Sequence, residues 1–302
     1  MGWMDGKVRV LYFGMLGDFS LLPLRHLLAA GVDVCGIVVA GQGDGGAIRP
    51  LFPPPSPPGL PLLNPYFDRN IIQVGWQQGI PVWAIGRLGD ETTVTTLAAL
   101  QPDVAVVACF SRRIPKVLLD VPEHGFLNVH PSLLPRYRGP QPLFWCFREG
   151  EGETGVTVHW MDEGLDTGDI VLQARVNFAD GIAGDEADRL CAERGGELLV
   201  EAMGLLAAGK LPCVPQSDDF TYFPSPTAVD FHIPTSWSAQ RAFNFMRGVA
   251  DWGRPFTIEV GEEKVVAGTA VAYDAHQQLD ELLVREGGET AVQFNPGVLY
   301  VR

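Results

Sequence analysis

The chain has no run of about 18 uncharged apolar residues, so it offers no membrane span. Its opening, MGWMDGKVRVLYFG, lacks the basic start and apolar stretch of a secretory signal. Together these predict a cytoplasmic protein with no membrane partner. Cysteine is sparse: Cys35, Cys109, Cys146, Cys191 and Cys213 make an odd set of five with no C-x-x-C spacing. That excludes a disulfide framework and predicts reduced, mostly buried thiols. Positive charge is also short, with 22 Lys and Arg against 36 Asp and Glu, a net charge of −14. Proteins that grip nucleic acid by its phosphates usually present a Lys/Arg face, so any such contact here would need a local patch. The turn FGMLGD after the first apolar run is not G-x-G-x-x-G, which argues against a dinucleotide cofactor. His124 and His159 have no Cys or second His at ligand spacing, so no metal is expected. Ser132 lacks a G-x-S-x-G setting and has no reason to be a nucleophile. GQGDGG around Asp44 suits a phosphate, but no helix opening with Lys-Ser/Thr follows it.

What is present is an ordinary globular composition, 46% hydrophobic and 19% charged over 302 residues, a length that favours two domains. Near-continuous apolar runs at 8–14, 32–40, 81–85, 103–110 and 125–130 alternate with helical patterns near 20–30 and 90–100. A long amphipathic stretch at 184–208 closes the series. Strand, helix, strand with fully apolar strands predicts an α/β domain on a mostly parallel, Rossmann-like sheet. Eight of the 24 prolines fall between Pro50 and Pro65, which predicts a stiff surface loop that is neither helix nor central strand. It could be functional, a role-free insertion or a proline-motif docking site. The Pro- and Ser-rich stretch 211–230 reads as a linker between a catalytic domain at 1–210 and a β-rich domain at 231–302. The last segment holds one helical pattern, SAQRAFNFMRGV, and short strands PFTIEV, KVVAGTAVAY, TAVQFN and VLYVR.

The chemistry concentrates between Phe126 and Asp169. Asn128 and His130 stand two apart in FLNVH, so a strand would aim both at one face. Asp166 sits in the Gly-rich turn GLDTGD after a second strand. An amide, an imidazole and a carboxylate meeting there could polarise a carbonyl and move a proton.

Asn-x-His, SLLPxxRG and GLDTGD, in that order, make this chain resemble the folate-dependent formyltransferases. Members of that group formylate methionyl-tRNA, glycinamide ribonucleotide or amino sugars, or hydrolyse the formyl donor. The resemblance implies the formyltransferase fold, a small β-barrel-like (OB-like) C-terminal domain and 10-formyltetrahydrofolate as co-substrate. It assigns catalysis to Asn128, His130 and Asp166. The amide and imidazole would face the oxyanion, while Asp166 would favour an imidazolium by charge proximity and order a relay water. Ser132, Arg136 and Arg138 follow at once and would meet the acceptor, though each Arg could equally form an internal ion pair. Folate would lie against Ser111, Arg112, Arg113 and Ile114 on one side and Asp162 and Leu165 on the other. Arg112 and Arg113 replace more apolar residues and would suit a glutamyl tail.

Charge bears on the acceptor. The loop 41–66 holds one Arg and one Asp where tRNA-binding members carry a basic insertion, and residues 230–302 hold ten Asp/Glu against six Lys/Arg, a net of −4. This favours a small amine over initiator tRNA, although Arg136, Arg138, Arg241 and Arg247 could still supply specific tRNA contacts. A donor hydrolase, with water in place of the amine, and a non-catalytic folate-binding scaffold are the remaining readings.

Overall fold

A computed structural model describes residues 8–41, 46–54 and 70–302. Asp44 and the prolines from Pro55 to Pro65 lie outside the described residues. The chain forms two compact units, one of residues 1–138, 155–175 and 189–220, the other of residues 139–154, 176–188 and 221–302.

The elements of the first two-thirds run β1 (Arg9–Gly14), α1 (Asp18–Ala29), β2 (Asp33–Ala40), β3 (Ile48–Pro50), α2 (Ile71–Gln78), β4 (Val82–Ile85), α3 (Glu91–Ala98), β5 (Val104–Ala108), α4 (Lys116–Leu119), β6 (Phe126–His130), α5 (Pro142–Glu149), β7 (Glu153–Trp160), β8 (Ile170–Asn177) and α6 (Gly184–Ala207). Eight strands form one sheet in the order β3-β4-β2-β1-β5-β6-β7-β8. From β4 through β6 every neighbour pair is parallel. The edge strand β3 runs antiparallel to β4, and β7 runs antiparallel to β6. Pro50 ends β3 at the sheet margin, where a missing N–H breaks no inner ladder.

The apolar strands are explained by burial on both faces. Leu11, Phe13, Val38, Ile85, Val107 and Phe126 pack with Leu97 of α3 and Leu118 of α4 on one side. Val10 and Tyr12 point to the opposite side, and both are fully buried. Tyr12 can lie there because its hydroxyl donates to the Ser20 carbonyl at 2.7 Å, and burial holds its pKa well above that of an ordinary phenol. Each such side chain removed from water stabilises the fold by about 1.5–3 kcal/mol. Polar residues begin the helices. Asn70 accepts from Ile72 N and Gln73 N at the start of α2, and Asp90 accepts from Thr92 N at the start of α3; each caps orphan N–H groups. On α6, Gly195 admits β6 closely: a Cβ there would lie 2.5 Å from Val129 Cγ1.

The last third adds β9 (His232–Pro234), α7 (Ala239–Gly248), β10 (Phe256–Val260), β11 (Glu263–Ala267), β12 (Ala270–Asp274), β13 (Leu283–Glu286), β14 (Glu289–Gln293) and β15 (Val298–Val301). They make two small sheets, β11-β10-β9 and β12-β15-β14-β13, which realise the expected barrel-like C-terminal part. KVVAGTAVAY, read as one strand, breaks at Gly268 into β11 and β12, which belong to different sheets. The core of this unit is aromatic. Phe144 of α5 packs on Phe231, Phe245 and Trp252 at centroid separations of 5.1–5.5 Å. Phe245 also meets Phe256 at 5.7 Å. Ser238 caps α7 by accepting from Arg241 N at 3.1 Å.

Candidate active site

The expected catalytic residues Asn128, His130 and Asp166 fall on β6 near its C-terminal end and in the turn between β7 and β8, all within the first unit. The carboxyl edge of a parallel sheet is where α/β folds form their crevices. Asn128 and His130 follow Phe126 at two-residue steps, so the strand turns all three to one face. Leu127 and Val129 alternate with them and are buried.

Antiparallel β7 sets His159 directly opposite Asn128, and Thr157 opposite His130. His159 Nδ1 lies 2.8 Å from the Trp160 carbonyl, an acceptor, so Nδ1 carries the proton. Burial pushes the His159 pKa down to about 4 against the pull of the Asp166 carboxylate, so the ring is neutral at pH 7. Its Nε2 is then a lone pair, and only an amide N–H can face it. Asn128 Nδ2 does so at 3.1 Å. One Asn128 N–H is thus committed to His159, and the amide is held in one orientation. Sequence reasoning dismisses His159 as a metal ligand and does not see this role. The signal available was only its alternation in TVHW; the register that pairs it with Asn128 is a long-range property.

His130 is 4% exposed. Its Nε2 donates to the Tyr137 carbonyl at 2.9 Å. Its Nδ1 faces Asp166 Oδ1 at 3.6 Å, and the same oxygen lies 3.7 Å from His159 Nε2. The first gap exceeds a direct hydrogen bond and suits a bridging water or a reacting group; at the second, the one lone pair of His159 Nε2 is already turned to Asn128. Asp166 reaches this place from a backbone at φ +55, in the left-handed region that Asp tolerates better than most residues. Its turn is braced on both sides. Trp160 N donates to Asp169 O at 2.9 Å and Met161 N to Phe126 O at 2.8 Å. Gly168 must be glycine, because a Cβ there would sit 1.9 Å from the Trp160 carbonyl oxygen.

The structure therefore brings Asn128, His130 and Asp166 together and adds His159. The other expected contacts divide. Asp162 is occupied with its own turn, accepting from Gly164 N at 2.8 Å and Thr167 Oγ1 at 2.6 Å. Ile114, expected to lie against a ligand, is instead 3% exposed and packed in the sheet core. An apolar residue beside Leu118 and Phe126 gains more from that burial than from a ligand face. Ser111 and Arg113 are exposed, and Leu165 is 49% exposed in the Asp166 turn. Arg112 donates to the Ile85 carbonyl at 3.1 Å. In the loop after β6, Ser132 is fully buried and donates to the Arg136 carbonyl at 2.7 Å. Its own carbonyl accepts from Thr157 Oγ1 at 2.6 Å. Arg136 is exposed. Arg138 is buried, with Nε and Nη2 donating to Gln216 Oε1 at 3.0 and 2.7 Å and its guanidinium 4.5 Å from the Phe220 ring centroid. Its expected place against an acceptor gives way to an internal bond, with a neutral amide in place of the ion pair. Among the described residues, no three His, Cys, Asp or Glu side chains are grouped to hold a metal ion, and no helix is long and apolar enough to cross a membrane.

Known proteins resemble this chain in sequence and in fold. Residues 71–203 match the family described as formyl transferase. A methionyl-tRNA formyltransferase of Marinobacter nauticus is 37% identical over 260 residues, covering 85% of this chain and 78% of that protein. One of Pelotomaculum thermopropionicum is 34% identical over 291 residues, covering 96% and 88%. Among solved structures, an N-formyltransferase of Helicobacter canadensis in complex with folinic acid and dTDP-3-aminofucose superposes with a TM-score of 0.67 at 13% identity, over 97% of this chain and 98% of that one. At that identity the likeness concerns the fold.

Proposed function

This chain belongs to the formyl transferase family, and from that premise we propose that it transfers a formyl group from 10-formyltetrahydrofolate to the amine of methionyl-tRNA. The observation that carries the chemistry is His130 Nδ1 facing Asp166 Oδ1 at 3.6 Å, beside an Asn128 amide oriented by His159. The amine attacks the formyl carbon and a tetrahedral centre forms with negative charge on oxygen. The second Asn128 N–H stabilises that oxyanion, joined by His130 Nδ1 when both ring nitrogens carry a proton, since Nε2 already donates to the Tyr137 carbonyl. Asp166 takes the proton released by the amine, directly or through water, and a proton returns to the folate nitrogen as its bond to the formyl carbon breaks. Ser111, Arg112, Arg113 and Leu165 line the donor side. Asp162 and Ile114 support it from behind, and Arg136 faces the acceptor.

The relatives support this acceptor more than net charge opposes it. Two proteins named for methionyl-tRNA share 37% and 34% identity with this chain, the second over 96% of its length and so including the C-terminal part. Net charge sums the whole surface, whereas tRNA affinity depends on a few local contacts. A small amine remains the second reading, favoured by the net −4 of residues 230–302. One assay decides between them. Tetrahydrofolate release is followed with charged initiator tRNA, with a panel of small amines including amino sugars, and with water alone. Turnover with tRNA that falls steeply as salt rises supports the proposal. Turnover confined to a small amine transfers the assignment to it, and equal release in water alone marks a hydrolase.

A further inference from the structure

The first half of the stretch 211–230 read from sequence as a linker, residues 211–220, belongs to the first unit. Val214 pairs with Ile170, each N–H donating to the other's carbonyl at 2.8–2.9 Å. Two residues on, Gln216 makes four hydrogen bonds. Its Nε2 donates to the carbonyls of Asp166 and Gly168 at 2.8 and 2.7 Å. Its Oε1 accepts from Nε and Nη2 of Arg138 at 3.0 and 2.7 Å. That exhausts the two N–H groups and two lone pairs of a primary amide. Arg138 follows Tyr137, whose carbonyl accepts from His130. A closed circuit results: His130, the Tyr137–Arg138 backbone, Gln216, the Asp166 turn, and back to His130 across 3.6 Å. Each of the two segments that Gln216 links carries a residue held in the left-handed region, Tyr137 at φ +59 beside Arg138 and Asp166 at φ +55. Such conformations persist only where the surroundings over-determine them.

We propose that Gln216 is a positioning residue for the reaction, setting the spacing of His130 and Asp166 by tying the Asp166 turn to the loop that holds His130. The inference depends on the assignment of His130 to the oxyanion and of Asp166 to the amine proton. It makes a specific demand on chemistry. Two carbonyls and one guanidinium must be met at once, so the side chain must be an amide. Glutamate has the same shape and pairs well with Arg138, but it would set carboxylate oxygens against the carbonyls of Asp166 and Gly168. That repulsion pushes the turn outward.

The test is steady-state kinetics of the full chain with 10-formyltetrahydrofolate and methionyl-tRNA for wild type, Gln216→Glu and Gln216→Met, with His130→Asn and Asp166→Asn as controls. Thermal unfolding and tetrahydrofolate binding are measured on each variant. Gln216→Glu is expected to lower kcat by roughly 10- to 100-fold, the scale of a misplaced reacting group, with KM for both substrates within about threefold of wild type. The pH–rate profile should shift as well, which a mere loss of packing would not cause. Gln216→Met, which removes the bonds without adding charge, should fall between Gln216→Glu and wild type, and it carries the test if Gln216→Glu fails to fold. Wild-type kcat and pH profile in a folded variant, with both controls inactive, would overturn the positioning role alone. Fully active controls would overturn the site assignment on which it stands.

Discussion

The neutrality of His159 has a measurable consequence for stability. An ordinary histidine titrates near 6.5, whereas this one is pushed by burial to about 4 in the folded chain. Above about 6.5 the ring is neutral in both folded and unfolded states, and its contribution is complete. As pH falls from 6.5 towards 4, the unfolded chain takes a proton that the folded chain refuses, so stability falls with it. Below about 4 both states are protonated and no further loss accrues from this group. The gap corresponds to on the order of 3 kcal/mol, a large part of the 5–15 kcal/mol that typically holds a protein folded. His159→Gln isolates the effect. Its amide can still accept from Asn128, but it takes no proton and cannot reproduce the Nδ1 bond to the Trp160 carbonyl. At pH 7 the variant should be less stable by about 1–3 kcal/mol, the cost of the unpaired carbonyl. By pH 4.5 the difference should vanish or reverse. Urea unfolding followed by tryptophan fluorescence at pH 7, 6, 5 and 4.5 measures both curves, and carboxylate titrations common to the two proteins cancel in the difference. Parallel curves across that range would refute the depressed pKa and hence a His159 that stays neutral below pH 6.5.

Other expectations follow from the same geometry. Asn128→Ala, His130→Ala and Asp166→Ala should each lower kcat by about 10²- to 10⁴-fold with the fold retained by circular dichroism, the range seen for lost oxyanion donors and acid–base groups; a variant near the wild-type rate leaves the mechanism. Gly168→Ala drives a methyl against the Trp160 carbonyl and must displace the Asp166 turn. Its kcat should drop at least about tenfold, and unchanged kinetics would mean that the turn does not need its present position. Phe245→Ala removes a fully buried ring that meets Phe144, Phe256 and Trp237. It should cost about 3–5 kcal/mol in chemical denaturation; a loss below about 1 kcal/mol would contradict the aromatic core.

Much of this architecture was legible because it is local. The apolar runs from Val10 to Phe13 and from Val104 to Ala108 are buried on both faces, so composition alone announces strands of a covered parallel sheet. A two-residue step puts Asn128 and His130 on one face whatever surrounds them, and a Gly-rich turn can present Asp166 wherever its strands go. Helix α5 was hidden because its eight residues, PLFWCFRE, are too few to establish a period. Strand β8 follows the turn with a burial pattern that only its neighbours explain.

What tertiary structure alone decided is which distant residues meet. His159 is 31 residues from Asn128, and Gln216 is 78 from Arg138 and 50 from Asp166. Neither pairing leaves a periodic trace. The first depends on the register of β7 against β6, where a slip of one residue would turn His159 to the opposite face. The second depends on the Val214–Ile170 bridge carrying a proline-rich segment back across the Asp166 turn. Ile114 shows the same limit from the other side: its apolar character fits a ligand contact or the core equally well, and only the packing of α4 on the sheet assigns it to the core. Local sequence determined the chemical groups and the strand that carries two of them. Their orientation, their shared carboxylate and the brace behind them come from contacts across the fold.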